Sequence, residues 1–292
     1  MDHRAFLAGM DPEVTAALTQ RSTARGLLHL MGHLGLLVFG GIWIAVGWPL
    51  WWAAMLPYGI ALVFLFTLEH ECTHQTPFAH VGLNEWVGRL VGVVLFLPFG
   101  WFRYFHLAHH RHTNIPGKDP ELGSDKPQAG WPLVWHVSGL PLWGRLFAQL
   151  FRNAFGVIDA EYVPERARPR VAQEARIYLG VYAALALSFV VSPVLLWVWL
   201  LPMLLGQPFL RLYLLAEHGR CTFVANMFEN TRTTFTNRVV RFLAWNMPYH
   251  AEHHVQPNVP FHRLPEFHGY VQAHLHQTSE GYGAFLKSYV GR

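Results

Sequence analysis

Two long stretches of this chain carry no Asp, Glu, Lys or Arg, and nothing else in the sequence restricts the fold as tightly. The first runs from Leu27 to Leu68 and the second from Ile177 to Leu210. A helix that crosses a bilayer needs about 20 apolar residues, so each stretch is long enough to cross twice. Breakers stand where a turn belongs, Gly47-Trp48-Pro49 in the first and Ser192-Pro193 in the second. The expected fold is therefore an all-α integral membrane domain over residues 1–292. Its four transmembrane helices form two hairpins, at approximately 27–47, 50–70, 174–192 and 194–215. Interfacial helices and a histidine-rich cytoplasmic cap, from segments 71–173 and 216–292, complete it.

Charge sets the orientation. Only 14% of residues are charged, against about 25% in soluble domains, and 52% are hydrophobic. Residues 1–26 hold 3 of the 22 Lys and Arg, residues 69–176 hold 11 and residues 211–292 hold 8. The hairpin tips hold none, so both termini and the central segment are expected in the cytoplasm. The start of the chain lacks the pattern of a cleavable signal. Two cysteines cannot make a disulfide framework, and a net charge of +4 is too mild to suggest a nucleic-acid partner. A third apolar run, Val87 to Phe102, contains Arg89, Pro98 and Gly100 and has histidine clusters on both flanks. If those clusters share a site the run cannot cross the membrane, so it is expected to be re-entrant or interfacial. Residues 131–158 mix Trp and Phe with Arg145 and Arg152, as an amphipathic helix at the headgroups or a packed cytoplasmic helix would.

The chain has 19 histidines, and their spacing carries chemistry. His70 and His74 lie four residues apart and share a helical face. His106-Leu107-Ala108-His109-His110 and His250-Ala251-Glu252-His253-His254 both read H-x-x-H-H. At about 100° per residue all three histidines of such a motif fall in one sector, while the adjacent pair diverges enough to serve two neighbouring metals. Imidazole suits Zn, Cu, Fe or Ni. An all-imidazole site leaves the metal charge uncompensated, so outer carboxylates are expected among Glu71, Asp119, Glu217 and Glu252. His70 to His74 also fits H-E-x-x-H, the zinc metallopeptidase pattern, which leaves the other two clusters unexplained. A metal transporter would place polar ligands at the bilayer midplane, whereas these clusters lie outside the uncharged hairpins.

These three clusters, in order, type and membrane placement, resemble the histidine boxes of the membrane fatty acid desaturase and hydroxylase superfamily. The segment from Asn230 through Thr234, the run from Asn246 to His254 and Pro260-Phe261-His262 are most similar to bacterial fatty acid desaturase-like members. The resemblance implies a non-haem di-iron site and, after the last span, an isolated histidine ligand, here His218. The ligand set it implies is His70, His74, His106, His109, His110, His218, His250, His253 and His254. It further implies oxygen-dependent desaturation of a lipid acyl chain in the cytoplasmic (inner) membrane. Hydroxylation or carotenoid ketolation are the superfamily's alternatives. Dioxygen is then co-substrate. The chain shows no Cys-rich iron–sulfur pattern and no dinucleotide fingerprint, so an external reductant is implied, a ferredoxin or similar electron carrier.

Other residues are expected to play lesser parts. His112, His262 and His268 read as outer or surface groups, and Cys72 and Cys221 as packing. His29 and His33 are expected to reach the interface from the end of the first span. Arg211 reads as a boundary residue. Arg220, Arg232, Arg238 and Arg241 form a basic stretch suited to headgroups or to an acidic electron carrier.

Overall fold

The computed structural model describes residues 2–124 and 126–291. Its regular structure is nearly all helix; among the described residues the two strands, Thr233–Thr234 and Thr278–Ser279, are two residues each and pair in parallel. Helix α1 (Thr23–Val46) starts where Ser22 accepts the Arg25 N–H and stops at Gly47 in the left-handed region, φ 72°. Helix α2 (Trp51–Thr73) returns beside it. Most of the apolar side chains of α1 face outward, among them Leu28, Met31, Val38 and Phe39. That exposure is expected of a surface solvated by lipid tails.

The third apolar run breaks at Phe96, Leu97 and Pro98. Helices α3 (Val81–Leu95) and α4 (Phe99–His112) meet there at 99°. Phe96 takes the left-handed conformation at the end of α3, and Pro98 opens α4, where the missing N–H costs nothing. The chain thus leaves His74 and comes back to it, since His74 Nε2 and His106 Nε2 lie 2.7 Å apart. Residues 131–158 form two short helices, α5 (Gly130–Val137) and α6 (Leu140–Ala154), joined through Gly139 at φ 77°. Leu150 and Ala154 are buried while Trp131, Trp135, Phe151 and Phe155 are exposed. The pair therefore packs on one face and offers aromatic side chains on the other.

Helix α7 (Arg168–Ser188) lies where the third span was expected, and α8 (Leu196–His218) follows it. Among the described residues three helices are long and apolar enough to cross a membrane: Pro12–Val46, which includes α1, together with α2 and α8. The bent α3–α4 pair is a fourth candidate. Arg168, Arg170, Glu174 and Arg176 occupy the first turns of α7, and α7 is not among the candidates. Helix α2 crosses closely against α8. A Cβ on Gly59 would stand 2.1 Å from the Pro202 carbonyl oxygen, and one on Gly206 2.3 Å from that of Gly59. Small residues allow that approach. It sets side by side the two long helices whose last turns carry His70 and His218. Helix α9 (His250–Val255) caps the assembly.

Candidate metal centre

Three helix ends converge on one place. His70 lies in the last turn of α2 and His74 caps it, His106, His109 and His110 fill the last turns of α4, and His218 ends α8. The C-terminal end of a helix carries partial negative charge, which favours a cation. Helix α9 lays His250, His253 and His254 across these ends. Seven of the nine side chains are buried, and His74 and His110 are partly so.

The nine fall into two adjacent groups. His70, His74, His106, His110 and His253 each offer a nitrogen to one, and His109, His218 and His254 to the other. His250 reaches the second group through His218, its Nε2 3.1 Å from His218 Nε2. The neighbours His109 and His110 divide between the groups, as do His253 and His254. That is the divergence a helix imposes on consecutive residues. The Nε2 atoms of His253 and His110 lie 3.2 Å apart, and those of His109 and His218 also 3.2 Å. Metal–imidazole bonds of about 2.0–2.1 Å hold neighbouring nitrogens about 3 Å apart, so this donor set fits two ions. Both nitrogens of His70 and Nε2 of His254 are buried without a hydrogen-bond partner. Burial and the surrounding imidazoles hold His250, His253 and His254 well below the usual histidine range. They are therefore neutral at pH 7, as ligands must be.

Groups behind the histidines set their tautomers. Asp119 accepts from His109 Nδ1 at 3.0 Å, and the Asn230 carbonyl accepts from His218 Nδ1 at 3.1 Å. Thr113 Oγ1 lies 3.1 Å from His254 Nδ1. Glu71 and Glu217 stand 3.6 and 3.4 Å from the Nδ1 atoms of His253 and His250. Glu252 departs from expectation. It accepts from Thr233 Oγ1 and His268 Nδ1 and supports the cap rather than one of the nine histidines. Glu71 Oε2 accepts from Thr76 Oγ1 and the Phe261 N–H, behind His253, where a peptidase general base would have to face the metal water. In the sequence Asn230 stands out only as the start of the run to Thr234. Its side-chain amide donates to the Thr113 and Val224 carbonyls, linking the supports of His218 and His254.

Two further expectations need correction. His29 and His33 do not reach for the interface. His33 is fully buried, bonded to the Ala61 carbonyl and to the Trp245 indole N–H, and His29 bonds the Phe242 carbonyl. The basic stretch is only in part a free surface: Arg238 is exposed, whereas Arg232 is buried and donates to the Ala216 and Gly219 carbonyls. Arg220 donates to those of Ser288 and Tyr289, and Arg241 to the Tyr249 hydroxyl. Arg211, read as a boundary residue, lies on a cavity wall. That cavity, about 350 Å³, runs from apolar residues such as Leu97, Trp143 and Leu146 to His70, His106 and His109.

Residues 46–285, which hold all nine histidines, match the family described as fatty acid desaturase. The chain belongs to that family. A sphingolipid delta(4)-desaturase of Rattus norvegicus is 28% identical over 230 residues, which is 75% of this chain and 64% of that protein. A dihydrorhizobitoxine desaturase of Bradyrhizobium elkanii is 26% identical over 239 residues, 75% of this chain and 66% of the relative. A sphingolipid delta(4)-desaturase/C4-monooxygenase of Mus musculus is 27% identical over 224 residues, 75% and 64%. The match spans just under two thirds of these relatives' own length.

Proposed function

We propose that this chain is a membrane oxidoreductase, a di-iron lipid desaturase that uses dioxygen and electrons from a separate carrier to place a double bond in an acyl chain. The observation that carries this reading is the pairing of two buried histidine groups with an apolar cavity that opens onto both. The nine histidines would hold the irons. Bound there, the metal pair would supply oxygen reduction and removal of hydrogen from an unactivated C–H bond. The chain's own residues do the rest. Leu97, Trp143 and Leu146 line the cavity with apolar surface that excludes water and holds a hydrocarbon chain beside the histidines. Asp119, Thr113 and the Asn230 carbonyl keep each Nε2 turned inward.

Both termini lie in the cytoplasm of a bacterial inner membrane in this reading, and the whole chain forms one domain. Reporter fusions at either end test the placement; an external reporter would separate the clusters from their reductant. Hydroxylation is the second reading, favoured by the likeness to a relative whose name joins desaturase to monooxygenase. Product analysis from cells expressing the chain with a ferredoxin reductase system decides between them. An alkene is expected, and a product heavier by one oxygen atom would make it a hydroxylase. Purified protein should carry about two irons, with activity abolished in His109→Ala and in His253→Ala; a single zinc would end both readings.

A further inference from the structure

One carboxylate is placed differently from the others. Asp119, Glu71 and Glu217 face Nδ1 atoms, at the back of their histidines. Glu121 faces the front: its Oε2 lies 3.3 Å from His109 Nε2, the atom that is also 3.2 Å from His218 Nε2. A neutral imidazole has a single N–H. His109 gives its own to Asp119 and His218 gives its own to the Asn230 carbonyl, so each tautomer follows from its partner. In the neutral forms both Nε2 atoms are then bare lone pairs. His218 Nε2 and Glu121 Oε2 both lie within about 3.3 Å of His109 Nε2, and acceptors that close need a positive centre among them, either a proton on His109 or a metal ion that takes the proton's place.

Local structure holds Glu121 in this position. Asp119 caps the single turn Pro120–Gly123 by accepting the Glu121 N–H, which turns the side chain back towards the end of α4. Lys126 Nζ lies 2.6 Å from Oε1 and occupies that oxygen, leaving Oε2 to the histidines. Glu121 also lines the cavity. The first group holds five histidines, and the second holds three plus His250.

We propose that Glu121 is a carboxylate ligand of the second metal ion, completing the set His109, His218, His250 and His254 on the side that faces the cavity. The two ions are then chemically unequal, five imidazoles on one and four with a carboxylate on the other. This rests on the di-iron reading, and the test separates the two.

The full chain in detergent is loaded with isotopically enriched iron and titrated with a chelator, following iron per chain and the Mössbauer spectrum. Wild type should hold two irons in two distinct environments. Glu121→Gln, equal in shape but neutral, should release one iron at chelator strengths at least about tenfold lower, keep the other, and lose one of the two spectral components. Two irons with an unchanged titration and spectrum would overturn the proposal and leave the di-iron reading standing. Wild type that binds fewer than two irons would overturn the di-iron reading itself. If the Gln variant aggregates, Glu121→Asp decides. A change in one component's quadrupole splitting supports ligation, and an unchanged spectrum refutes it.

Discussion

His109, His218 and His254 are specified by what holds the nitrogen that a metal would not take. Asp119 does this most fully, accepting from His109 Nδ1 and from the backbone N–H groups of Asn114 and Glu121. Asp119→Asn keeps the volume but presents an amide donor or a weaker acceptor to His109. Iron affinity should fall about 10–100-fold, read by chelator competition with iron per chain. Glu252→Gln is the contrast. Glu252 touches Thr233 and His268 rather than one of the nine, so the variant should keep its iron. It should still lose stability, by about 1–3 kcal/mol, because a fully buried charged acceptor is replaced. Equal loss of iron in both variants would show that tautomer control is not what Asp119 supplies.

Among the elements, the α2–α8 crossing does the positioning. Gly206→Ala would put a methyl group 2.3 Å from the Gly59 carbonyl oxygen, so one backbone must move. A loss of about 1–3 kcal/mol is expected, with weaker iron retention because His70 and His218 ride on the two helices. Gly35→Ala on α1 meets nothing within 4 Å and should leave the melting temperature unchanged or slightly raised. Helix α5 meets α8 through His136, whose Nε2 accepts from the Arg211 guanidinium at 3.1 Å. Burial, then Arg211, Lys126 and Arg145, push the His136 pKa down to about 4 from an ordinary 6.5. Below about 6.5 the unfolded chain takes up a proton that the folded one refuses, so stability is full above that pH and is lost towards about 4. Thermal melts across this window should fall less steeply in His136→Gln, and identical slopes would remove His136 from the balance.

The whole molecule is tied together at its histidine cluster. The nine histidines come from α2, α4, α8 and α9, segments otherwise joined by long excursions of chain. A metal bound only by the folded state stabilises it by about 2.7 kcal/mol at a hundredfold excess over its dissociation constant. Chelation of iron-loaded protein should therefore lower the melting temperature and loosen α9 first, since that six-residue helix has little helical stability of its own. Hydrogen exchange at residues 250–255 reports it. Exchange unchanged on iron removal would mean that packing alone holds α9 in place.

The sequence by itself determined the medium, the helical class and the phase of the histidines. Uncharged length, loop charge and a spacing of three and four are local properties, and the helical repeat converts them into faces without knowledge of the rest of the chain. It also marked the third apolar run as unable to cross, because both of its ends carry histidines. Tertiary structure alone decided the long-range pairings. His33 reads as an intramembrane oddity until Trp245 is brought against it, and Arg232 reads as surface charge until two carbonyls from the end of α8 surround it. Glu121 follows the second cluster closely, yet nothing in the local sequence marks it. Its role depends on a single capped turn that reverses the chain towards His109 Nε2, and residue spacing carries no record of that direction.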